Sequence, residues 1–562
     1  MSQSAKSLIE KVVREALAEQ EIPLVSFSLE HPAQWKHGDY ATNVALIAAK
    51  ELKYNSKELA TKIVHTILQK KHEFLDRVET AGPGFINFFI SKKYFLSTII
   101  DTQKEGEVYG SSTHGKKRTA IIEFSSPNIA KPFTIGHLRS TIIGDALARI
   151  LTFSGYTVVR DNHLGDWGTQ FGKQIVAMKR WGNEDDLANS ENPVRYLVDL
   201  YVKFHVEAEQ DPSLEDEARA WFLKLEQGDV EAKRLWKLCI DYSMEHFNKI
   251  YDVLGVKFDM MLGESFFMDK MDVVLKELQE KGIAKESEGA LLVFFPGDKY
   301  PPLMIRKKDG ATLYATRDLA TDRYRIERWG KDVLIINEVG AEQSMYFKQI
   351  YETEEMAGYL KKSQRKHVGH GLMRFKEGKM STRKGNTIWL IDVLTDAVQR
   401  ASLYNPVVAK EVGIGALKYN DLKRESTRDV MFQWEDILNL KGNSGPYLQY
   451  TYARAMSVLR KAKEQNILAE TPANLDAVEI TTTERLIYQF PEIVERATTE
   501  YAPHYICTYV FELAQAFNTY YAEHSILQGG EMAGYRLLLT GAVAQVLKNG
   551  LSLLGVQTPE KM

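Results

Sequence analysis

The sequence predicts a multidomain α/β protein: a doubly wound parallel sheet at the centre, a smaller α+β unit before it and an α-helical bundle after it. Three observations carry this. The chain has 562 residues, too many for one hydrophobic core, so two to four domains are expected. From residue 119 onward, short β-prone apolar runs alternate with helical stretches. Beyond residue 440 nearly every long segment has helical periodicity.

Residues 1–115 read as the first unit. Leu8, Ile9, Val12, Val13, Ala16 and Leu17 recur at helical spacing, as do the apolar positions of "LATKIVHTIL". "GPGFINFFI" (82–90) reads as a strand entered through a glycine-proline turn, and "YGSSTHGKKR" (109–118) as a linker. The central domain, 116–439, opens with "TAIIEF", short and apolar as a buried parallel strand should be. Leu138, Ile142, Ile143, Ala146, Leu147, Ile150 and Leu151 then share one helical face, and Gly155 stands where the helix should end. "YTVVR" is the next strand, completing a strand–helix–strand unit of a Rossmann-type sheet.

Residues of about 185–285 are charged and helical and read as an insertion between two halves of that sheet. "ALLVFFP", "PLMIR" and "TLYAT" read as strands, with "KKDG" as a hairpin turn. "DVLIINEV" and "HVGHGLM" are the last strands, with a helix from about Glu342 between them. In residues 440–562, "GPYLQYTYARAMSVLRKA", "PHYICTYVFELAQAFNTYYAEH" and "YRLLLTGAVAQVLKNGLSLLG" are the helices of the bundle.

Composition narrows the function. Hydrophobic content of 44% and charged content of 26% are ordinary for a soluble protein. A net charge of −3 gives no global basic field, so any polyanion must be held by local patches. Cys239 and Cys507 are the only cysteines, which excludes a disulfide framework and a thiolate-rich zinc site and fits a reducing cytoplasm. The first residues carry Glu10 and Glu15 and no apolar core of a signal or transit peptide. No run is apolar enough to span a bilayer, so no membrane partner is expected.

Two stretches carry chemistry. "SSPNIAKPFTIGHLRST" (125–141) follows the first central strand and opens a helix, where free N–H groups and a partial positive charge bind phosphate. Gly136 lets a ligand approach the backbone, His137 can donate to a phosphate oxygen, and Lys131 adds a mobile charge. No dinucleotide fingerprint follows the strand. "FKEGKMSTRKGNT" (375–387) follows the last strand and gathers Lys376, Lys379, Arg383 and Lys384 around two glycines. Such a basic loop can close over a polyphosphate and neutralise charge as it develops, although charge runs are more often solvated surface.

"TIGH" and "KMSTR" resemble the H-x-G-H and K-M-S-K-S signatures of class I aminoacyl-tRNA synthetases. "FSSPNIAKPF", "GHLRST", "DNHLGDWGTQFGK", "LYATRDLA", "KMSTRKGN", "GPYLQYTYARA", "FELAQAFNTYY" and the terminal "PEKM" narrow the resemblance to the arginyl-tRNA synthetase family, in order and over essentially the whole chain.

The resemblance implies that ATP and arginine form arginyl-adenylate, which charges the 3′-terminal adenosine of tRNA(Arg). It implies ATP as substrate with Mg²⁺, no zinc, a monomer, and a cytoplasmic location. It places Lys131, Thr134, Gly136, His137, Lys379, Met380, Ser381, Arg383 and Lys384 at the phosphates, and Ser126, Asn128, Glu264, Tyr314, Asp318 and Gln343 around arginine. Glu264 and Asp318 are acids, and a planar guanidinium prefers bidentate carboxylates. Asp318 could equally cap a helix. Tyr314 stands one helical turn before Asp318. The bundle is implied to bind the anticodon, with Tyr447, Tyr452 and Arg454 as candidates, and the N-terminal unit to touch tRNA. Two positions depart from the signatures: Thr134 replaces the first histidine and Thr382 the second lysine, and Lys131 is implied to compensate. Thr134 keeps open an alternative, a non-catalytic tRNA-binding paralogue.

Overall fold

The structure, a computed structural model, describes residues 4–375 and 388–562. In the N-terminal unit the helix Ala5–Glu19 buries Ile9, Val13 and Leu17, the stripe expected from their spacing. The unit's sheet contains β1 (Leu29–Glu30), β2 (Tyr40–Thr42), β3 (Leu75–Ala81) and β4 (Phe85–Ile90). Its order is β1-β2-β4-β3, and every pairing is antiparallel.

This unit is clasped to the C-terminal bundle through the helix Thr482–Glu500. Asp39, 1% exposed, pairs with Arg485 and accepts a hydrogen bond from the Ile90 amide at 2.8 Å. The Tyr40 hydroxyl donates to Glu492, whose other oxygen lies 3.3 Å from His31 Nε2. Tyr488 of the same helix is buried in the N-terminal core.

The central domain begins with β5 (Thr119–Glu123) and the helix Gly136–Phe153, which returns the chain to β6 (Thr157–Asp161). Gly155 follows this helix with φ 85°, a left-handed conformation that a side chain would oppose. Helices Pro193–Gln210, Ser213–Glu226 and Val230–Leu254 form the insertion. A separate antiparallel sheet, order β7-β8-β9, contains β7 (Ala284–Ser287), β8 (Ala290–Val293) and β9 (Leu303–Arg306).

The expected strand "TLYAT" is not a strand. Thr312 makes one isolated bridge to Arg306, and a helix then runs over Tyr314–Trp329. Ala315, Leu319 and Ala320 bury in one cluster with β8 and β9 residues, so helical packing overrides the β-prone composition of so short a run.

Two more parallel strands follow, β10 (Leu334–Gly340) and β11 (Arg365–His370), around the helix Ser344–Ala357. They complete a four-stranded parallel sheet in the order β11-β10-β5-β6. Ala120, Ile121, Ile122, Ile335 and Ile336 are 0% exposed, as strands covered on both faces require. A short parallel pair, β12 (Met373–Arg374) and β13 (Val430–Met431), lies beyond. Helices Gly445–Glu464, Thr482–Glu500, His504–Glu523 and Ala533–Leu553 build the bundle. Among the described residues no helix is long and apolar enough to cross a membrane.

Candidate active site

The loop after β5 leaves the carboxyl edge of the parallel sheet, where doubly wound folds bind ligands. Its backbone is strained: Ser125 has φ 72°, Ser126 43° and Ala130 54°. Each such residue costs on the order of 1–3 kcal/mol and persists only when its surroundings hold it. The Ser125 amide donates to Ser140 Oγ at 2.9 Å, and its hydroxyl lies 2.8 Å from the Tyr251 hydroxyl. The Ser126 amide donates to Asn162 Oδ1 at 3.1 Å, and the Ala130 amide to Ser243 Oγ at 3.0 Å. Ser243 and Tyr251 belong to the insertion helix Val230–Leu254, so the insertion shapes this loop. Motif reading missed these partners because their only signal is spatial.

Ser126 Oγ is buried with no partner among the described residues. Asn128 is exposed and bridged to Gly165, where a Cβ would fall 2.2 Å from Asn128 Oδ1. A side chain at Gly165 would therefore displace the Asn128 amide from this position.

At the helix start, a Cβ on Gly136 would meet only Thr134 Oγ1, at 3.4 Å. The backbone is therefore open to a ligand at Gly136 itself, while the neighbouring amides of Thr134, Ile135, His137 and Leu138 are already bonded within the protein. The Thr134 amide donates to His137 Nδ1 at 3.0 Å, and Thr134 Oγ1 lies 3.1 Å from the same nitrogen. An Nδ1 that accepts leaves the proton on Nε2. Burial lowers the His137 pKa to about 4, so the ring is a neutral Nε2–H donor. Burial also lowers the pKa of Lys131, and Glu264 opposes that shift.

The chain beyond the second stretch returns to the signature loop. Lys379, Met380, Ser381, Arg383 and Lys384 lie outside the described residues. The chain that follows them pairs with the signature loop: the Ile135 amide donates to the Ile388 carbonyl at 3.2 Å, and the Leu390 amide to the Phe133 carbonyl at 2.9 Å. Trp389 bridges Thr134 between them.

Glu264 begins a short helical turn and is 8% exposed. Its Oε1 lies 3.4 Å from Nη2 of Arg317, whose guanidinium sits 4.6 Å from the centre of the Tyr314 ring. Burial raises the Glu264 pKa to about 7, against the opposing charge of Arg317. Asp318 accepts from the Tyr346 hydroxyl at 2.5 Å. Burial, then the neighbouring Glu123, raises its pKa to about 7. Asp318 lies inside the helix that Tyr314 opens, so it is not the cap. Tyr314 is 66% exposed, and Gln343 is exposed one short turn beyond β10. Two acids that ionise with difficulty and an open aromatic face suit a cationic, planar ligand.

A buried charge network forms the floor beneath. Arg325 pairs with Asp161, with Glu123 at 2.5 Å and with Asp322 at 2.8 Å. Arg365 adds Asp322 at 2.8 Å and Glu354 at 3.0 Å. Tyr346, Arg317 and this network went unnoticed in the sequence. Only Arg317 had a legible signal, its helical spacing from Tyr314, which the strand reading of 312–316 obscured.

In the bundle an open cleft of about 760 Å³ is lined by Tyr450, Arg454, Arg460, Lys461, Tyr521 and Lys561. The Arg454 guanidinium lies 5.0 Å from the Tyr450 ring and 5.3 Å from the Tyr521 ring. Tyr452 does not face this cleft: it is 4% exposed and belongs to the core. The Tyr447 hydroxyl accepts from Asn518 Nδ2 at 2.9 Å, and its ring packs on the same core. At helical spacing only some tyrosines of "GPYLQYTY" can point outward, and the exposed one is Tyr450, 45% exposed.

The chain is similar to known proteins over its whole length. Residues 99–434 match the family described as tRNA synthetases class I (R), catalytic domain. Residues 448–562 match the DALR anticodon binding domain, and residues 3–90 the arginyl tRNA synthetase N terminal domain. The chain is 42% identical to an arginine–tRNA ligase of Clostridium perfringens, over 98% of this chain and 99% of that one. It is 40% identical to that of Clostridioides difficile over 100% of both. Its fold is similar to the arginyl-tRNA synthetase of Thermus thermophilus, with TM-score 0.81, 23% identity and 99% of each chain covered. The Plasmodium falciparum enzyme gives TM-score 0.79 and 25% identity over 99% of this chain and 98% of that one.

Proposed function

The chain belongs to the arginyl-tRNA synthetase family and charges tRNA(Arg) with arginine at the expense of ATP; from that premise we propose which of its residues do the work. The observation that supports this reading is the pairing of residues 388–390 with 133–135, which brings the chain that follows the second basic stretch against the signature loop.

The arginine carboxylate attacks the α-phosphorus of ATP in line, and pyrophosphate leaves. A hydroxyl of the terminal adenosine, the 2′-hydroxyl by the habit of the class, then attacks the adenylate carbonyl, and AMP leaves. The protein contributes mainly position and charge. The open backbone at Gly136 receives the phosphates, and His137 Nε2–H donates to a phosphate oxygen without carrying charge. Lys131 supplies the positive charge that Thr134 cannot. Lys379, Ser381, Arg383 and Lys384, with Met380 among them, cover the departing pyrophosphate. Glu264 and Asp318 hold the guanidinium with Tyr314 beside it, while Ser126, Asn128 and Gln343 hold the amino and carboxylate end.

Mg²⁺ enters with ATP, held by phosphates rather than by a protein cage. Among the described residues no group of three His, Cys, Asp or Glu side chains has metal-site geometry. The chain acts as a cytoplasmic monomer. Residues 1–115 form a tRNA-binding domain, 116–439 the catalytic domain with its insertion, and 440–562 the anticodon-binding domain. Arg454, Tyr450 and Tyr521 are the residues that meet unpaired bases.

The test is ATP–pyrophosphate exchange with arginine, lysine or cysteine, each with and without tRNA(Arg). Exchange with arginine alone is expected. Exchange with lysine, or full activity in Glu264→Gln, would overturn the pocket assignment.

A further inference from the structure

Arg317 has no part in the reading above, yet its guanidinium lies where that reading puts the substrate's. It faces Glu264 and stacks on Tyr314, with 12% of the side chain exposed. Its hold is poor. Its closest approach to Glu264 is 3.4 Å, whereas a forked arginine–carboxylate pair sits at about 2.8 Å. Its Nε–H is buried with no partner among the described residues.

An arginine kept for structure looks different: Arg325, 1% exposed, reaches three acids. The Tyr314 ring beneath Arg317 is open to solvent, so a swing of the arginine toward water frees both the acid and the ring.

We propose that Arg317 is a resident stand-in for the substrate side chain, occupying the arginine pocket of the empty enzyme and withdrawing when arginine binds. This rests on the assignment of Glu264 and Tyr314 to arginine. Only molecules with Arg317 withdrawn are competent, so apparent affinity falls by the withdrawn fraction. That reduction is the same for every ligand that needs the pocket. Removing Arg317 therefore tightens arginine and its analogues by a common factor. A residue touching bound arginine would instead weaken it.

The experiment is calorimetric titration of the full-length protein with L-arginine and with agmatine, which lacks the carboxylate. It is run at about pH 8.5, above the Glu264 pKa of about 7. The other charged groups facing Glu264, Asp166 and Lys131, are left unchanged. Arg317→Met keeps the unbranched stem, and we expect both ligands to bind about five- to tenfold more tightly. Arg317→Lys keeps the charge but loses the fork, and gives a smaller tightening that stays measurable should the neutral variant not fold. Unchanged or weaker arginine binding, or different factors for the two ligands, overturns the proposal. Glu264→Gln separates the two levels. If it leaves arginine affinity intact, the pocket assignment fails. If it weakens arginine while Arg317→Met does not tighten it, the stand-in alone fails.

Discussion

Thr134 and His137 meet twice at one nitrogen: the Thr134 amide donates to His137 Nδ1 at 3.0 Å, and the Thr134 hydroxyl lies 3.1 Å from it. The position that departs from the family signature thus sets the tautomer of the histidine that keeps to it. Thr134→Val preserves the amide contact and removes the hydroxyl. We expect a fall of about three- to tenfold in exchange kcat/KM, the worth of one modest hydrogen bond. His137→Ala removes the donor itself and should cost about 10²-fold or more. A larger loss in Thr134→Val than in His137→Ala would refute this order of roles.

Lys131 is the cation of the signature loop, and its pKa is lowered mainly by burial. Lys131→Ala should reduce adenylate formation about 100-fold. The melting temperature should stay near that of the unmodified protein or rise, because a desolvated charge has been removed. Unaltered kcat/KM would remove Lys131 from the mechanism.

Burial raises the pKa values of Glu264 and Asp318 to about 7. The folded values lie above the unfolded ones, so each acid favours the folded state at low pH. That contribution is lost as pH rises from about 4 through 7. A bound guanidinium needs carboxylates, so arginine binding must expel protons near neutrality. Arginine affinity should therefore rise with pH up to about 7 and flatten above it, by as much as about tenfold per unit for each proton released. Titrations at pH 6.5 in buffers of different ionisation enthalpy measure the release directly. Zero release or proton uptake would contradict the assignment of these acids.

The clasp between the N-terminal unit and the bundle depends on a buried charge. Arg485→Met leaves Asp39 inside the protein with the Ile90 amide but without its cation. We expect a loss of about 3 kcal/mol in urea unfolding, the scale for breaking a buried pair. Asp39→Asn added to Arg485→Met should recover part of it, since no unpaired charge then remains. Additive losses in the double variant would show that the pair is not coupled.

The legibility of the site divides by distance along the chain. The strand at 119–123, the helix of residues 136–153 and its stop at Gly155 were readable because periodicity and terminal chemistry are local. "TLYAT" was misread because a short apolar run with β-branched and aromatic residues satisfies either period, and the core formed with β8 and β9 made it a helix. Tyr452 was a reasonable candidate for RNA contact by composition, but the bundle turned it inward and left Tyr450 outside. Sequence does not say which face of an apolar helix will be covered.

By itself the sequence determined the class of protein, the order of its parts and the residue types of the sites proposed for the phosphates and the guanidinium. Motif chemistry depends on functional groups and short spacings, which a chain carries whether folded or not. Tertiary structure alone decided the protonation of those groups and their neighbours. His137 is a neutral donor because burial and a threonine amide make it so. Glu264 and Asp318 hold protons near neutrality because the fold removes them from water. Arg317 meets Glu264, 53 residues away in sequence, because the helix that opens at Tyr314 packs against the turn that begins at Glu264. Desolvation and long-range contact are properties of packed space, and no local pattern encodes them.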